Sequence, residues 1–482
     1  MMLLDLPPEI LQAILINSVR LRGLKRGVRL RLVNKFLSQE VIWAVSKSGL
    51  LEDHCNYPYR GSPPGDYLLP KALENRDDEQ GRYTLQILRH LADKLCSLNN
   101  KSEDLETWKK YMVEMSSLVA DANPCFTTVS PTGRQNIVEN TSPMAMDAHL
   151  QAAAAHLNMV SIVEQLITTG VWHDRPTFLM TNSSLLGSPQ TLAAKAGNSE
   201  ILALLTKEAF APTAKVLWNH HRGLLATASA AGHMEAVRVL LQRKRDPACN
   251  YADFRGYLIR ALSTPSLEVY ELIRTAIHEL DGTPMQKRYK KVFGTNEFFE
   301  AMFKTCVWEG WTSMAVYFLD LGATVNSCRE NGITAAFVNN SSLAHACRTG
   351  NISMVRMLLN RGLDTTYALS YAAAGGNLSL VKLLLDHGCD PNEGYPPPLA
   401  WAVDLEHEAM FNLLHDRGAR MTLPSARHDI VARARGAGLE SMLSLISNKE
   451  GIDPYDSTYT TPAPRPRKLC FMCQPDDEDG SD

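Results

Sequence analysis

One pattern returns along the whole chain and limits its fold more than any other feature: a short helix, a tight turn and a second short helix. Its best-formed copy is residues 371–388, YAAAGGNLSLVKLLLDHG. Tyr371, Ala372 and Ala373 close the first helix, with small residues that let another helix approach closely. Gly375-Gly376-Asn377 follows, where glycine and asparagine can take the positive φ that ends a helix at low cost. Leu380, Val381, Leu383, Leu384 and Leu385 then give the second helix a broad apolar face, and Gly388 ends it. A pair this short cannot bury its own apolar face, so the pattern predicts copies stacked on one another.

Further copies stand at 188–205, 224–241 and 342–362, with weaker ones at 150–170, 303–323 and 398–419. Residues 257–277 read as a degenerate copy without the central glycine. The turn glycines are Gly197, Gly232, Gly350 and Gly376 in the clear copies and Gly310 in the weaker copy at 303–323. A last copy, 425–446, carries Arg427, Arg433 and Arg435, and a polar outer face there suits a C-terminal cap. Gly197 and Gly232 stand 35 residues apart, Gly310 and Gly350 stand 40 apart, and Gly350 and Gly376 only 26.

The small-residue pair, the Gly-Asn or Gly-His turn, the apolar second helix and the exit Gly388-Cys389-Asp390-Pro391-Asn392 resemble the ankyrin repeat family. The resemblance covers over half of the chain. The family's Thr-Pro-Leu-His start is approached only by Ser188-Pro189 and Pro398-Leu399. It implies an α-solenoid of about eight to nine divergent repeats that presents a concave surface to a protein substrate, with His233 bracing its turn by a hydrogen bond. It also implies a finger-like β-turn excursion between copies. The short spacing before Gly376 leaves no room for one, so residues 362–367 should form a bare helix-to-helix loop. The long spacing before Gly350 places an extra loop around Cys328–Asn340.

The first fifty residues follow another logic. Asp5 can cap a helix whose first turn holds Pro7 and Pro8, where a missing N–H costs little. Leu6, Ile10, Ile14 and Leu15 line one face, and Glu9 sits near the positive helix end. A second segment supplies Leu32, Val33 and Phe36, then Val41, Ile42 and Trp43. Leu6-Pro7-Pro8-Glu9-Ile10 with Ile14-Leu15, followed by Arg31-Leu32-Val33-Asn34-Lys35-Phe36, resembles an F-box. That resemblance implies docking on a Skp-type adaptor of a cullin–RING ubiquitin ligase through Leu6, Pro7, Glu9, Ile10, Ile14, Leu15, Leu32, Val33 and Phe36. The alternative is an amphipathic helix that only caps the fold. Arg20, Arg22, Lys25, Arg26, Arg29, Arg31 and Lys35 read as a solvated basic face, because few aromatics are interleaved for nucleic acid.

The expected fold is all-α in four parts: a helical unit over 1–50, a connector over 51–142, the repeat array over 143–447 and a disordered tail over 448–482. In the connector, helical patterns near Tyr83–Leu98 and Glu103–Val119 should pack on the first repeat, and residues 121–142 read as a polar loop. The tail is proline-rich and acidic, and Cys470 and Cys473 lack a second ligand pair for zinc. The remaining eight of the ten cysteines are scattered, which fits a reducing, intracellular setting. A net charge of -3 gives no nucleic-acid signature, and no run of residues is apolar enough to span a bilayer. There is no GxxxxGK[ST] loop, GxSxG elbow, HExxH helix or GxGxxG turn. No catalytic, cofactor or metal residue is therefore expected. The functional expectation is a non-enzymatic substrate receptor of a ubiquitin ligase, with a ligase-independent repeat scaffold as the alternative.

Overall fold

The computed structural model describes residues 6–32, 35–48, 50, 70, 83–102, 104–122, 142–169, 182–207, 215–242, 261–278, 295–323, 342–363, 365–394, 396–421 and 424–459. Among them are 21 α-helices, one 3-10 turn and no strand beyond an isolated antiparallel bridge between Ser183 and Gly187. The all-α fold is thus observed. The chain forms two compact units, Met1–Lys290 and Lys291–Asp482.

The first unit opens with α1 (Pro8–Gly27), a 3-10 turn (Val28–Leu32) and α2 (Lys35–Lys47). Leu11, Leu15 and Val19 from α1 meet Leu37, Val41, Ala44 and Val45 from α2 in a core of their own. Their spacing, three or four residues along each helix, puts them on one face. Arg20 Nε donates to the Ser48 carbonyl at 3.0 Å, tying the two helices at their far end. Gly23, at φ 72°, breaks the regular helix of α1, as only glycine does cheaply.

Two longer helices follow, α3 (Tyr83–Leu98) and α4 (Leu105–Ala122), where the sequence places them. Leu88, Leu91 and Leu95 on α3 and Met112 and Met115 on α4 are fully buried. The Asp104 side chain caps α4 by accepting from the Thr107 amide at 3.1 Å. Hydrogen bonds from the Thr107 hydroxyl and then from its amide hold the Asp104 carboxyl below the usual range. Helix α3 packs on the first helix of the first repeat, and Lys94 reaches Asp147 there at 3.7 Å.

Repeat pairs complete this unit: α5 (Pro143–His156) with α6 (Val160–Thr169), α7 (Pro189–Ala196) with α8 (Ser199–Lys207), α9 (Lys215–Ala230) with α10 (Met234–Gln242), and α11 (Leu267–His278). Of the copy expected over 257–277, residues 257–260 lie outside the described residues; in the rest Ala261, Leu262, Val269, Tyr270 and Ile273 are buried, and Thr264-Pro265-Ser266 stands where other copies have the turn glycine. Helix α9 begins nine residues ahead of the recognised copy at 224.

The second unit holds α12 (Asn296–Glu309) with α13 (Thr312–Asp320), α14 (Ser342–Thr349) with α15 (Ile352–Asn360), and α16 (Ala368–Ala374) with α17 (Leu378–Asp386). It continues through α18 (Pro398–Asp404) with α19 (Glu408–Asp416) and ends on α20 (Pro424–Gly436) with α21 (Glu440–Glu450). First helices pack on first helices in series from α12 to α20, and each also packs on its own second helix. Buried Ala372, Ala373, Ala400 and Ala402 show why small residues recur there: they set a close approach between neighbouring first helices.

The junction between α15 and α16 is short, and its described residues form only turns. The one between α17 and α18 is longer and makes a finger. There Asn392 Nδ2 donates to the Gly418 carbonyl at 3.1 Å, and Asn392 Oδ1 accepts from the Arg420 amide at 2.8 Å. The loops expected around Cys328–Asn340 and over most of 121–142 lie outside the described residues, as do Val33 and the Cys470–Cys473 pair.

At the C-terminal end the structure corrects the boundary at 447. Helix α21 runs on to Glu450, and residues 451–459 fold back on the last helix pair, with Ile452 and Pro454 buried. The arginines expected to give the last copy a polar outer face anchor this segment and the neighbouring copy. Arg435 donates to the Tyr459 carbonyl at 2.7 Å, His428 Nε2 to the Thr458 carbonyl at 3.0 Å, and Arg433 pairs with Asp404 at 2.8 Å. Arg427 Nε donates to the Met421 carbonyl at 2.9 Å.

Candidate protein-interaction surfaces

Within each unit the turns fix the spacing of neighbouring copies. Gly197, Gly232, Gly310, Gly350 and Gly376 all take the left-handed conformation, with φ between 72° and 81°. At Gly197 and Gly310 the absent side chain matters as much as the φ. A Cβ on Gly197 would lie 2.6 Å from His233 Nδ1, and one on Gly310 would lie 3.3 Å from Asn351 Nδ2. After Gly197, Gly232 and Gly350 the next residue holds the copy before it. Asn198 Nδ2 donates to the Ala155 and His156 carbonyls at 2.8 and 2.9 Å, His233 Nε2 to Lys195 at 3.0 Å, and Asn351 Nδ2 to Gly310 at 3.2 Å. Asn351 and Asn377 also cap their own second helices through Oδ1, at 3.0 and 3.1 Å. In two weaker copies the left-handed position falls to Asn158 (φ 58°) and Glu406 (φ 53°).

With the second helices packed behind them, the first helices of the second unit leave one face open. Counting back from the left-handed turn residue, positions two and five before it share that face, since they are three apart on a helix. They hold Trp308 on α12, His345 and Arg348 on α14, Tyr371 on α16, and Trp401 on α18. Trp308 is 40% exposed, and Arg348, Tyr371 and Trp401 are partly exposed. The Trp308 and His345 rings stack with centroids 4.0 Å apart, and the Arg348 guanidinium lies 5.8 Å from the Trp308 ring centre.

The hydrogen bonds set the tautomer of His345. Arg348 Nη2 lies 2.9 Å from Nδ1, and a guanidinium can only donate, so Nδ1 carries the lone pair. The proton sits on Nε2 and is donated to the Trp308 carbonyl at 3.1 Å. Burial pushes the Tyr371 phenol up from its ordinary value, against the pull of Arg348. The Trp401 indole donates to Ser370 Oγ at 3.1 Å, and Ser370 in turn donates to the Pro396 carbonyl at 2.7 Å. Aromatic rings fixed in this way offer rigid contact area with little entropy left to lose. The sequence reading overlooked the row. Its signal was the register against the turn residue, visible only once the copies are aligned on φ.

Cysteines under this face are chemically quiet. Burial pushes the Cys306 thiol up to about 12 and raises Cys347 and Cys389 as well, which keeps them protonated and poor nucleophiles. Among the described residues no cluster of His, Cys, Asp and Glu is arranged to hold a metal ion, and no helix is long and apolar enough to cross a membrane.

The N-terminal unit offers the second surface. The nine residues expected to face an adaptor separate into two groups. Leu15 is core. Pro7 and Glu9 are exposed, Leu6 is partly so, and Ile10, Ile14 and Phe36 are 50%, 39% and 47% exposed. The Leu32 side chain lies outside the described residues.

A family model for ankyrin repeats in three copies matches residues 343–425, from α14 to the start of α20. This stretch is therefore made of ankyrin repeats, a kind of module that holds other proteins. No F-box model matches the chain, and no curated protein matches it.

Proposed function

We propose that the chain is a substrate receptor of a cullin–RING ubiquitin ligase. Its N-terminal unit would dock on a Skp-type adaptor, and its ankyrin repeats would hold a protein substrate. The observation that carries this reading is an apolar surface on a small unit that already has a core. Leu11, Leu15, Val19, Leu37 and Val41 are fully used inside, yet Ile10, Ile14 and Phe36 remain outside. A unit that only capped the array would bury such side chains against it. No residue of this chain performs the transfer chemistry in this account; the chain supplies proximity and orientation.

Co-purification of a Skp-type adaptor with the full chain is the test. Ile10→Asp with Ile14→Asp should abolish it and leave the helical signal intact. Retention of the adaptor by that double variant would sink the proposal.

A ligase-independent scaffold is the second reading, favoured by a family match confined to residues 343–425. Under it, the same double variant would keep all its partners. Proximity labelling with and without proteasome inhibition separates the two, because only a ligase substrate accumulates when degradation is blocked.

A further inference from the structure

Helix α1 is apolar on two faces, and only one of them is accounted for. Leu11, Leu15 and Val19 point into the unit's core. On the outer side Pro7, Ile10, Ile14, Asn17 and Leu21 follow one another at steps of three, four, three and four residues. That alternation draws a single straight stripe along a helix. Ile10 and Ile14 belong to the set expected from the sequence. Leu21 does not, and at 88% it is the most exposed large apolar side chain among the described residues. A lone exposed leucine is ordinary. One that completes a seam with two half-exposed isoleucines has a direction and a length, about 16 Å at 1.5 Å per residue.

We infer that the docking face of α1 extends to Leu21, and that the element seated on it is an amphipathic helix of the adaptor with acidic side chains at its Leu21 end. This rests on the adaptor reading above. Three aspects of the seam point to that occupant. Steps of three and four are the register a partner helix reads, with each apolar residue entering a gap between partner side chains. Asn17, exposed in the middle of the stripe, penalises slipped registers because a displaced helix would bury it without a partner. The charges are asymmetric: Arg20 and Arg22 are exposed beside Leu21, while Glu9 stands beside Ile10. A helix with carboxylates at one end and a basic residue at the other matches this polarity, and its reverse does not. Three apolar side chains cover far less than the roughly 1,200 Å² that a stable standalone interface needs. The seam is therefore one strip of a larger interface.

The experiment measures affinity of the full chain for a purified Skp-type adaptor, for wild type, Ile14→Asp, Leu21→Asp and Leu21→Lys. Leu21 makes no core contact, so both its variants should melt with the wild type. Ile14→Asp should abolish binding, and Leu21→Asp should weaken it at least tenfold. Leu21→Lys should weaken it less than Leu21→Asp, because a lysine there can meet the partner's carboxylates. Wild-type affinity in both Leu21 variants, with Ile14→Asp inactive, would overturn this inference and leave the adaptor reading standing. No adaptor binding by the wild type would overturn both. Concentration-dependent self-association abolished by Leu21→Asp would overturn the adaptor as occupant in favour of a second copy of the chain.

Discussion

The N-terminal helix pair and the repeat pairs of the second unit use similar lengths of chain in opposite ways. The first closes on itself: among the described residues, α1 and α2 share one core whose buried members run from Leu11 to Val45. A repeat pair such as α16–α17 closes on its neighbours. Leu380, Val381 and Leu384 are fully buried on a helix that packs on α16 and on α19 of the next pair. A self-closed unit can expose leftover apolar side chains to a partner and stay folded, whereas a stacked unit exposes only what lies on its open face. Where each region can bind follows from how it folds.

Removing one core leucine from each region breaks the comparison most sharply. Leu384→Ala should cost about 3 kcal/mol and destabilise neighbouring copies with it, because their burial is shared. Leu15→Ala should cost a similar amount to a smaller unit with less stability in reserve. Amide exchange followed by mass spectrometry would then show α1 and α2 opening while α14–α19 keep wild-type protection. If the repeats lose protection along with α1, the N-terminal unit is not self-contained.

Next in size is Gly197→Ala. It combines a left-handed φ with a Cβ 2.6 Å from the His233 ring, and about 2 kcal/mol is expected. Adding His233→Ala should recover part of that loss by removing the clash. A double variant no more stable than Gly197→Ala would mean that φ alone sets the cost.

The C-terminal segment offers a smaller effect. Arg435→Ala removes hydrogen bonds to the Asp456 and Tyr459 carbonyls and a cation–π contact with Tyr455. A loss of about 1 kcal/mol is expected, with faster proteolysis within 451–459 as the readout. Unchanged cleavage there would show that Ile452 and Pro454 hold the segment without the arginine.

The smallest effect is on the outer surface. Asp386 and Arg417 pair at 2.8 Å across adjacent second helices, both well exposed. Asp386→Asn should change stability by less than about 0.5 kcal/mol. A separate chemical readout sharpens the picture of the interior: with its thiol pushed up to about 12, Cys306 should resist alkylation at pH 8 until the chain is unfolded.

The helix pairs were legible because their periodicity is local. The Ala-Ala pair, the Gly-Asn turn and the leucine run each act within one turn or one helix, and the short α15–α16 junction followed from counting residues. Copies whose turns depart from the motif were harder. In the degenerate copy Thr264-Pro265-Ser266 replaces the glycine, and Glu406 takes the left-handed position in another, because stacking against neighbours enforces a turn that the local sequence does not favour.

By itself the sequence determined an all-α chain of stacked pairs behind a distinct helical unit, since the spacing of apolar residues dictates which faces must be covered. Only the tertiary structure decided which side chains stayed uncovered. Leu11, Leu15, Ile14 and Leu21 are equally apolar on paper. Packing of α2 against one side of α1 makes the first two core and leaves the others as surface. The same holds for Trp308, Arg348 and Tyr371, which share a face only because copies separated by dozens of residues stack in register, a constraint that acts through space rather than along the chain.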